Sequence, residues 1–258
     1  MNPLIIKIGG ILLDSKEALY NLFNAISKFR VKNNRSIILI HGGGFLIDNL
    51  MLKLSIPIKK IKGLRITTKD QMTIITGVLE NINKMLLSWA KKFKIYKSLG
   101  LCIGDGDISD VNYKNYQIGN VGNIFAKKSN LLKILIENNY LPIINSIGIN
   151  NDGNIINVNS DEIATAIAKS LKADLIFLTD VSYIFDGKGN RINIITNKKS
   201  MRLISKGIIT NGMIVKVQSA IKASKVLKKP VEICSWYKSD KLLNIFKGKS
   251  YGTSVTYE

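Results

Sequence analysis

Several residue types are scarce in this chain. Its 258 residues hold two cysteines, one histidine and four prolines. Cys102 and Cys234 are isolated, and neither has a metal-ligating neighbour at useful spacing. With a single histidine besides, no zinc site is expected, and both cysteines read as fillers of apolar space. Hydrophobic residues make up 46%, which is globular composition and excludes a disordered tail. No apolar run is long enough to cross a bilayer. The start MNPLIIKIGG enters a strand pattern directly, without the charged start and small-residue cleavage site of a signal peptide. A soluble cytoplasmic protein is expected.

Acidic residues are also few, 18 against 38 lysines and arginines, for a formal charge of +20. Such a charge points first to nucleic acid. The lysines, however, are scattered along the whole chain among Ile and Asn and form no stripe. This is compositional drift acting on every surface at once, so neither a nucleic-acid nor a membrane partner is expected. The positive field still favours anionic small molecules.

What the chain does have is alternation. LIIKI from Leu4 and SIILI from Ser36 read as buried strands. Asp14 or Ser15 caps the helix EALYNLFNAISKF, and FLIDNLMLKL is the next helix. IKKIKGLRITT reads as a hairpin with Lys62-Gly63 near its tip. Thr67 or Thr68 caps a long helix from Lys69 to Phe93, with Met72, Ile75, Leu79, Ile82, Leu86 and Trp89 at three- and four-residue spacing. Short hairpins fill GDGDISDVNYKNYQIGNVGN, and Ser129 starts a further helix. Asn151-Asp152-Gly153 is a turn, Ser160 begins DEIATAIAKSL, ADLIFLTD is a buried strand, and NGMIVKVQSAIKASKVL is an amphipathic helix. The pattern predicts an α/β fold with a largely parallel central sheet covered by helices on both faces. Two lobes are expected within one domain, residues 1–150 and 151–258, each holding one ligand.

Ligands in such sheets lie beyond the carboxyl ends of the strands. Four features stand out there. Lys7 sits within LIIKI, either on an edge strand in water or buried and paired, with Gly9-Gly10 leaving room for a ligand. His41-Gly42-Gly43-Gly44 ends the second strand and leads into a helix at Phe45, whose free amides and dipole favour an anion. The run is neither a Walker A loop nor a Rossmann fingerprint, and His41 reads as structural. Lys216 lies near the start of a helix, where the dipole disfavours a cation unless an anion is near. Asp161 opens another helix, either as plain capping chemistry or as the counter-charge that aims both lysines. Two lysines, a glycine cradle and an aspartate suit phosphoryl transfer, which asks mainly for positioning and positive charge. A carboxylate acceptor would be ionised already and would need no general base.

These residues resemble the amino-acid kinase family. KIGG at Lys7, HGGG at His41, GLR at Gly63, NVNSD at Asn157, LTDVS at Leu178 and NGMIVK at Asn211 come in the family's order, spread over essentially the whole chain. The resemblance implies a three-layer αβα sandwich of two lobes. It also implies ATP-dependent phosphorylation of the side-chain carboxylate of N-acetyl-L-glutamate, in arginine biosynthesis. On that basis Lys7 and Lys216 would stabilise the transferring phosphoryl, and Asp161 would orient both. Gly43 and Gly44 would donate amide hydrogen bonds. Arg65 would grip the substrate's free α-carboxylate, and Asn157 would bind the substrate too. Gly10, the segment Asp180, Val181, Ser182, Tyr183, Ile184, Phe185, and Ile208, Ile209, Thr210 would line the ATP site. Mg²⁺ would come with the nucleotide, with no direct protein ligand.

Two positions depart from the family: Tyr183 stands where Gly is usual, and Asn211 where Asp or Gly is usual. Both bear on the ATP rim. The first strand begins at about Leu4, without the preceding helix that builds arginine-inhibited hexamers in some members. A homodimer without arginine feedback is therefore expected, joined partly through the helix Lys69–Phe93, whose apolar stripe would equally serve an internal core. Other readings are a glutamate or aspartate kinase, or a non-catalytic ligand-binding protein of the same fold.

Overall fold

A computed structural model describes residues 2–61, 63–181 and 183–258. Among them the chain forms fourteen strands and nine α-helices. The first half runs β1 (Leu4–Ile8), α1 (Gly10–Asp14), α2 (Lys16–Lys32), β2 (Ile37–His41), α3 (Gly44–Lys53), β3 (Lys60–Ile61), β4 (Leu64–Arg65), α4 (Lys69–Lys92), β5 (Ser98–Leu101), β6 (Asp110–Tyr113), β7 (Val121–Phe125), α5 (Asn130–Glu137), β8 (Leu141–Ile144) and β9 (Ile147–Ile149). The second half runs β10 (Ile155–Val158), α6 (Ser160–Leu171), β11 (Asp174–Thr179), β12 (Ile194–Thr196), α7 (Asn197–Ser205), α8 (Asn211–Leu227), β13 (Val231–Ser235), α9 (Ser239–Phe246) and β14 (Thr253–Thr256).

Eight strands make one sheet in the order β12-β14-β13-β11-β1-β2-β8-β5. All its pairings are parallel except β13 with β14. The reason lies in the strands themselves. LIIKI, IILIH and DLIFLT are near-continuous apolar runs, as strands buried on both faces must be. Two cores result. Ile6, Ile8, Leu39 and Ile143 pack with α2, α3, α4 and α9 on one face. Ile5, Ile38, Ile40, Leu175 and Phe177 pack with α5, α6 and α8 on the other. Phe23 and Phe29 of α2 are fully buried, each contributing roughly 1.5–3 kcal/mol. Among the described residues no helix is long and apolar enough to cross a membrane.

Helix starts follow the capping chemistry of the sequence. Ser15, Ser129 and Asn159 accept backbone N–H bonds at the starts of α2, α5 and α6. Thr68 and Gln71 form a reciprocal capping box at α4. Ser160 is thus the first residue of α6 and Asn159 its cap. The one-turn helix α1 has no such signal, because Gly9 precedes it and no side chain caps it.

The short strands are organised beyond their local hairpins. β6 and β7 pair antiparallel, and β7 then pairs in parallel with β10, which pairs with β9. This four-stranded sheet spans the 150/151 division. The hairpin of β3 and β4 stands apart as a two-stranded ribbon; Lys62 at its tip lies outside the described residues. The apolar stripe of α4 is spent within the chain, since Met72, Ile75, Leu79, Ile82 and Leu86 all belong to the first core.

Candidate active site

The carboxyl ends of β1, β2 and β11 lie side by side, with Ile8 opposite both His41 and Leu178. Three helices start there or close by, and they differ from the rest. α1, α3 and α8 begin with no side-chain cap and no acid in the first turn. Their first amides are left for another partner, and the summed dipoles favour an anion.

Lys7 is on an interior strand, flanked by Phe177 of β11 and Ile40 of β2. That excludes the edge-strand alternative. Its ammonium is paired: Nζ lies 2.6 Å from Asp161 Oδ1, with both side chains under one-fifth exposed. Asp161 reaches it from the first turn of α6, whose start is fixed by Asn159 accepting from the Asp161 and Glu162 amides.

The structure divides the charges differently from the expected single orienting aspartate. Lys216 Nζ lies 2.5 Å from Asp180 Oδ1, and Asp161 meets Lys7. Partial burial pushes the Asp180 carboxyl up, but the hydrogen bond and charge of Lys216 outweigh it and hold the group below its usual range. Asp180 follows the end of β11 directly, so two lysine–aspartate pairs stand at the ends of adjacent strands. From the sequence alone Asp180 belongs only to the nucleotide rim. The partnership spans 36 residues and has no local signal.

The glycines divide by purpose. A Cβ on Gly42 would meet Ser160 Oγ at 2.8 Å, one on Gly43 would meet Ile82 Cδ1 at 2.9 Å, and one on Gly10 would meet Phe45 Cβ at 2.9 Å. At Gly10 the neighbour is a Cβ that cannot swing aside, so packing excludes a larger residue there, whereas at Gly42 and Gly43 a side-chain end would have to shift. Gly44 is different, because a Cβ there would meet nothing within 4 Å, although α3 already begins at this residue. Gly44→Ala should therefore keep the melting midpoint or raise it slightly, alanine being the better helix former by about 1 kcal/mol at most. Catalytic efficiency should still fall by about tenfold or more, if the open space is where a ligand's anionic group lies against the amides. Thermal melts and steady-state kinetics on the same preparation check this.

His41 is scaffolding. It is fully buried, and its Nδ1–H donates to the Gly42 carbonyl at 3.2 Å. Burial pushes its pKa down to about 4, only partly offset by that bond. The folded value lies below the unfolded one, so the unfolded chain takes up a proton that the folded chain refuses. The stability from the neutral ring is complete above about pH 6.5 and is lost as pH falls toward about 4. Because it is the chain's one histidine, its NMR ring resonances can be followed directly. They should stay constant from about pH 8 to about pH 5.5, and a midpoint near 6.5 would contradict the assignment.

A cavity of about 160 Å³ opens beside the cradle, lined by Gly42, Gly43, Gly44, Lys60, Arg65, Asn157 and Ser160 among others. Asn157 sits on β10, its Nδ2 3.5 Å from Thr67 Oγ1. Arg65 is nearly buried. Its Nη1 lies 2.5 Å from Asp48 Oδ1, and its Nη2 donates to the Gly44 carbonyl at 3.2 Å. A larger trough of about 640 Å³ runs from Asp161 between α6 and α8 under β7, rimmed by Lys114, Lys169 and Lys222.

The residues expected at the nucleotide are less uniform. Val181 is tied to Thr179 through two bonds of 3.0 Å, and Ser182 lies outside the described residues. Tyr183, where glycine is usual in the family, is engaged through its side chain. Its ring lies under the Arg191 guanidinium at 4.3 Å and meets Phe185 edge-on. Ile184 and Ile209 have their side chains in the second core, and Ile208 packs against its edge. The side chains of Ile184 and Ile209 are thereby kept from any ligand, while Ile208 stays partly exposed. Thr210 precedes α8, and Asn211 takes the left-handed conformation with φ +48°, which asparagine tolerates. Cys234 is buried and Cys102 partly so, with Sγ donating to Asp105 Oδ1. Burial pushes both thiols up, Cys102 to about 12, so neither offers a thiolate. Among the described residues no group of three or more His, Cys, Asp or Glu is placed to hold a metal.

A sheet with lysines and uncapped helix starts at its carboxyl edge is the architecture of a phosphoryl-transfer enzyme. The chain belongs to the amino acid kinase family, whose model matches residues 2–235. It is 50% identical over 256 residues to the acetylglutamate kinase of Pectobacterium atrosepticum, covering 99% of both chains. It is 48% identical, at the same coverage, to that of Proteus mirabilis. The solved structure of smu.665 from Streptococcus mutans UA159 superposes with a TM-score of 0.79 at 29% identity, covering 99% of this chain and 98% of that one.

Proposed function

We propose that the chain transfers the γ-phosphoryl of ATP to the side-chain carboxylate of N-acetyl-L-glutamate, giving ADP and N-acetylglutamyl 5-phosphate, a step of arginine biosynthesis. The observation that carries the site assignment is Lys7, an ammonium on an interior strand held by Asp161 beside the glycine cradle. Relatives of nearly equal length named acetylglutamate kinase support the substrate.

In this reading a carboxylate oxygen attacks phosphorus while the bond to the β-phosphate oxygen breaks. The acceptor is ionised at neutral pH, so no base is needed. Lys7 and Lys216 neutralise charge on the transferring group, and the Gly43 and Gly44 amides donate to the reacting oxygens. Arg65 and Asn157 hold the substrate's α-carboxylate end. Gly10, the Asp180–Phe185 segment and Ile208–Thr210 receive ATP. Residues 1–150 thus form the lobe for the amino acid and 151–258 the lobe for the nucleotide, with Asn157 and Gly10 each reaching across to the other lobe's ligand. Both carboxylates at the strand ends, Asp161 and Asp180, are engaged by lysines. Mg²⁺ accompanying ATP would therefore be held mainly by the phosphates.

Steady-state ADP release with N-acetyl-L-glutamate, L-glutamate and L-aspartate tests the substrate. The acetylated acid should give the highest kcat/KM, and a preference for either free amino acid would overturn the assignment. We also propose a homodimer. Its surface would be the outward side of α4 with the edge strand β5, where Tyr96 and Leu99 are exposed. Sedimentation as a monomer or hexamer would refute it.

A further inference from the structure

The ribbon of β3 and β4 has strands of two residues each, and an isolated two-stranded ribbon is marginal in water. Its charged residues make this worse. Lys60 and Arg65 are register partners, so two cations face each other across it, an arrangement that destabilises a strand pair. One carboxylate answers both. Asp48, in the second turn of α3, places Oδ1 2.5 Å from Arg65 Nη1 and Oδ2 2.7 Å from Lys60 Nζ. The same guanidinium donates to the carbonyl of Gly44, the first residue of that helix and part of the cradle. Asp48 therefore links both strands of the ribbon to the element that carries the cradle amides.

Lys60, Arg65 and Gly44 line the 160 Å³ cavity, whereas Asp48 lies behind them and does not. Two cations against one anion leave a surplus of one positive charge at the cavity wall. That surplus complements a single carboxylate. Arg65 Nη1 also points to Met51 Sδ at 3.5 Å; a guanidinium seated at three points presents its remaining N–H groups in a fixed direction, which reduces the ordering cost of binding.

We propose that Asp48 is a positioning residue for substrate recognition, setting the ribbon and its arginine against the cradle so that the cavity accepts one free carboxylate. The inference rests on the proposed substrate, and the experiment separates the two. Wild type, Asp48→Asn and Asp48→Glu are compared in steady-state kinetics with N-acetyl-L-glutamate and ATP, alongside thermal melts. Asp48→Asn should raise the KM for N-acetyl-L-glutamate by about tenfold or more, with kcat and the KM for ATP within about threefold of wild type. Asp48→Glu keeps the charge but lengthens the arm. It should raise the same KM by about threefold and carries the test should the amide variant not fold. An unchanged KM in the folded variants, equal rises for both substrates, or a fall in kcat at constant KM would overturn the positioning role. Failure of the wild type to use N-acetyl-L-glutamate would instead overturn the substrate.

Discussion

Lys7→Ala should lower kcat by about 10²–10³-fold while leaving the KM of each substrate within about threefold. The size follows from where the ammonium sits. Lys7 projects from an interior strand, under one-fifth exposed, with Asp161 at 2.6 Å. Charge held in place and shielded from water is worth more against a developing negative charge than a solvated lysine, and it needs no reorganisation as the reaction proceeds. The ground-state complex should depend less on it, because Arg65 and the cradle remain. The substitution also leaves Asp161 without its counter-charge, so a melt is needed beside the kinetics. Lys7→Met, which keeps most of the volume, should give the same loss in kcat. Retention of near-normal kcat in either folded variant would remove Lys7 from the reaction.

Lys216→Ala should cost about as much, again in kcat, and its partner should show how the site is wired. Lys216 is held at 2.5 Å by Asp180 at the end of β11. Both side chains are about one-third exposed, so their attraction in the resting protein is modest. Its importance lies in aiming the ammonium from the second turn of α8, where the dipole would otherwise disfavour it. Asp180→Asn should accordingly lower kcat by about tenfold, with little further loss when combined with Lys216→Ala, since contacting residues couple. Asp161→Asn should couple to Lys7→Ala in the same way and add nearly independently to Lys216→Ala. Full additivity of Asp180→Asn with Lys216→Ala would show that the pair does not act together.

Much of this was legible in the sequence because the relevant physics is local. A lysine inside an apolar run, three glycines after a strand, and serine or threonine before a periodic helix each carry their meaning within a few residues. Lys7, the cradle and the capping residues of α2, α4 and α5 all stand where such signals put them. What stayed hidden depends on tertiary neighbours. Asp180 meets Lys216 only because α8 brings its second turn to the end of β11. Asp48 reads as an ordinary helix residue until α3 and the ribbon are brought together. Ile184 and Ile209 look like rim residues in a motif, yet their side chains are buried in the core. The pairing of β7 with β10 joins segments over thirty residues apart and has no signal in either hairpin.

The product should be an acyl phosphate on the side-chain carboxylate of N-acetyl-L-glutamate. Incubation of the wild-type chain with ATP, Mg²⁺, N-acetyl-L-glutamate and hydroxylamine tests it most directly, since hydroxylamine captures a carboxylic–phosphoric anhydride as a stable hydroxamate. A hydroxamate that accumulates in step with ADP, and is absent with Lys7→Ala, is the predicted result. ADP released without hydroxamate, or hydroxamate formed only from unacetylated glutamate, would contradict it.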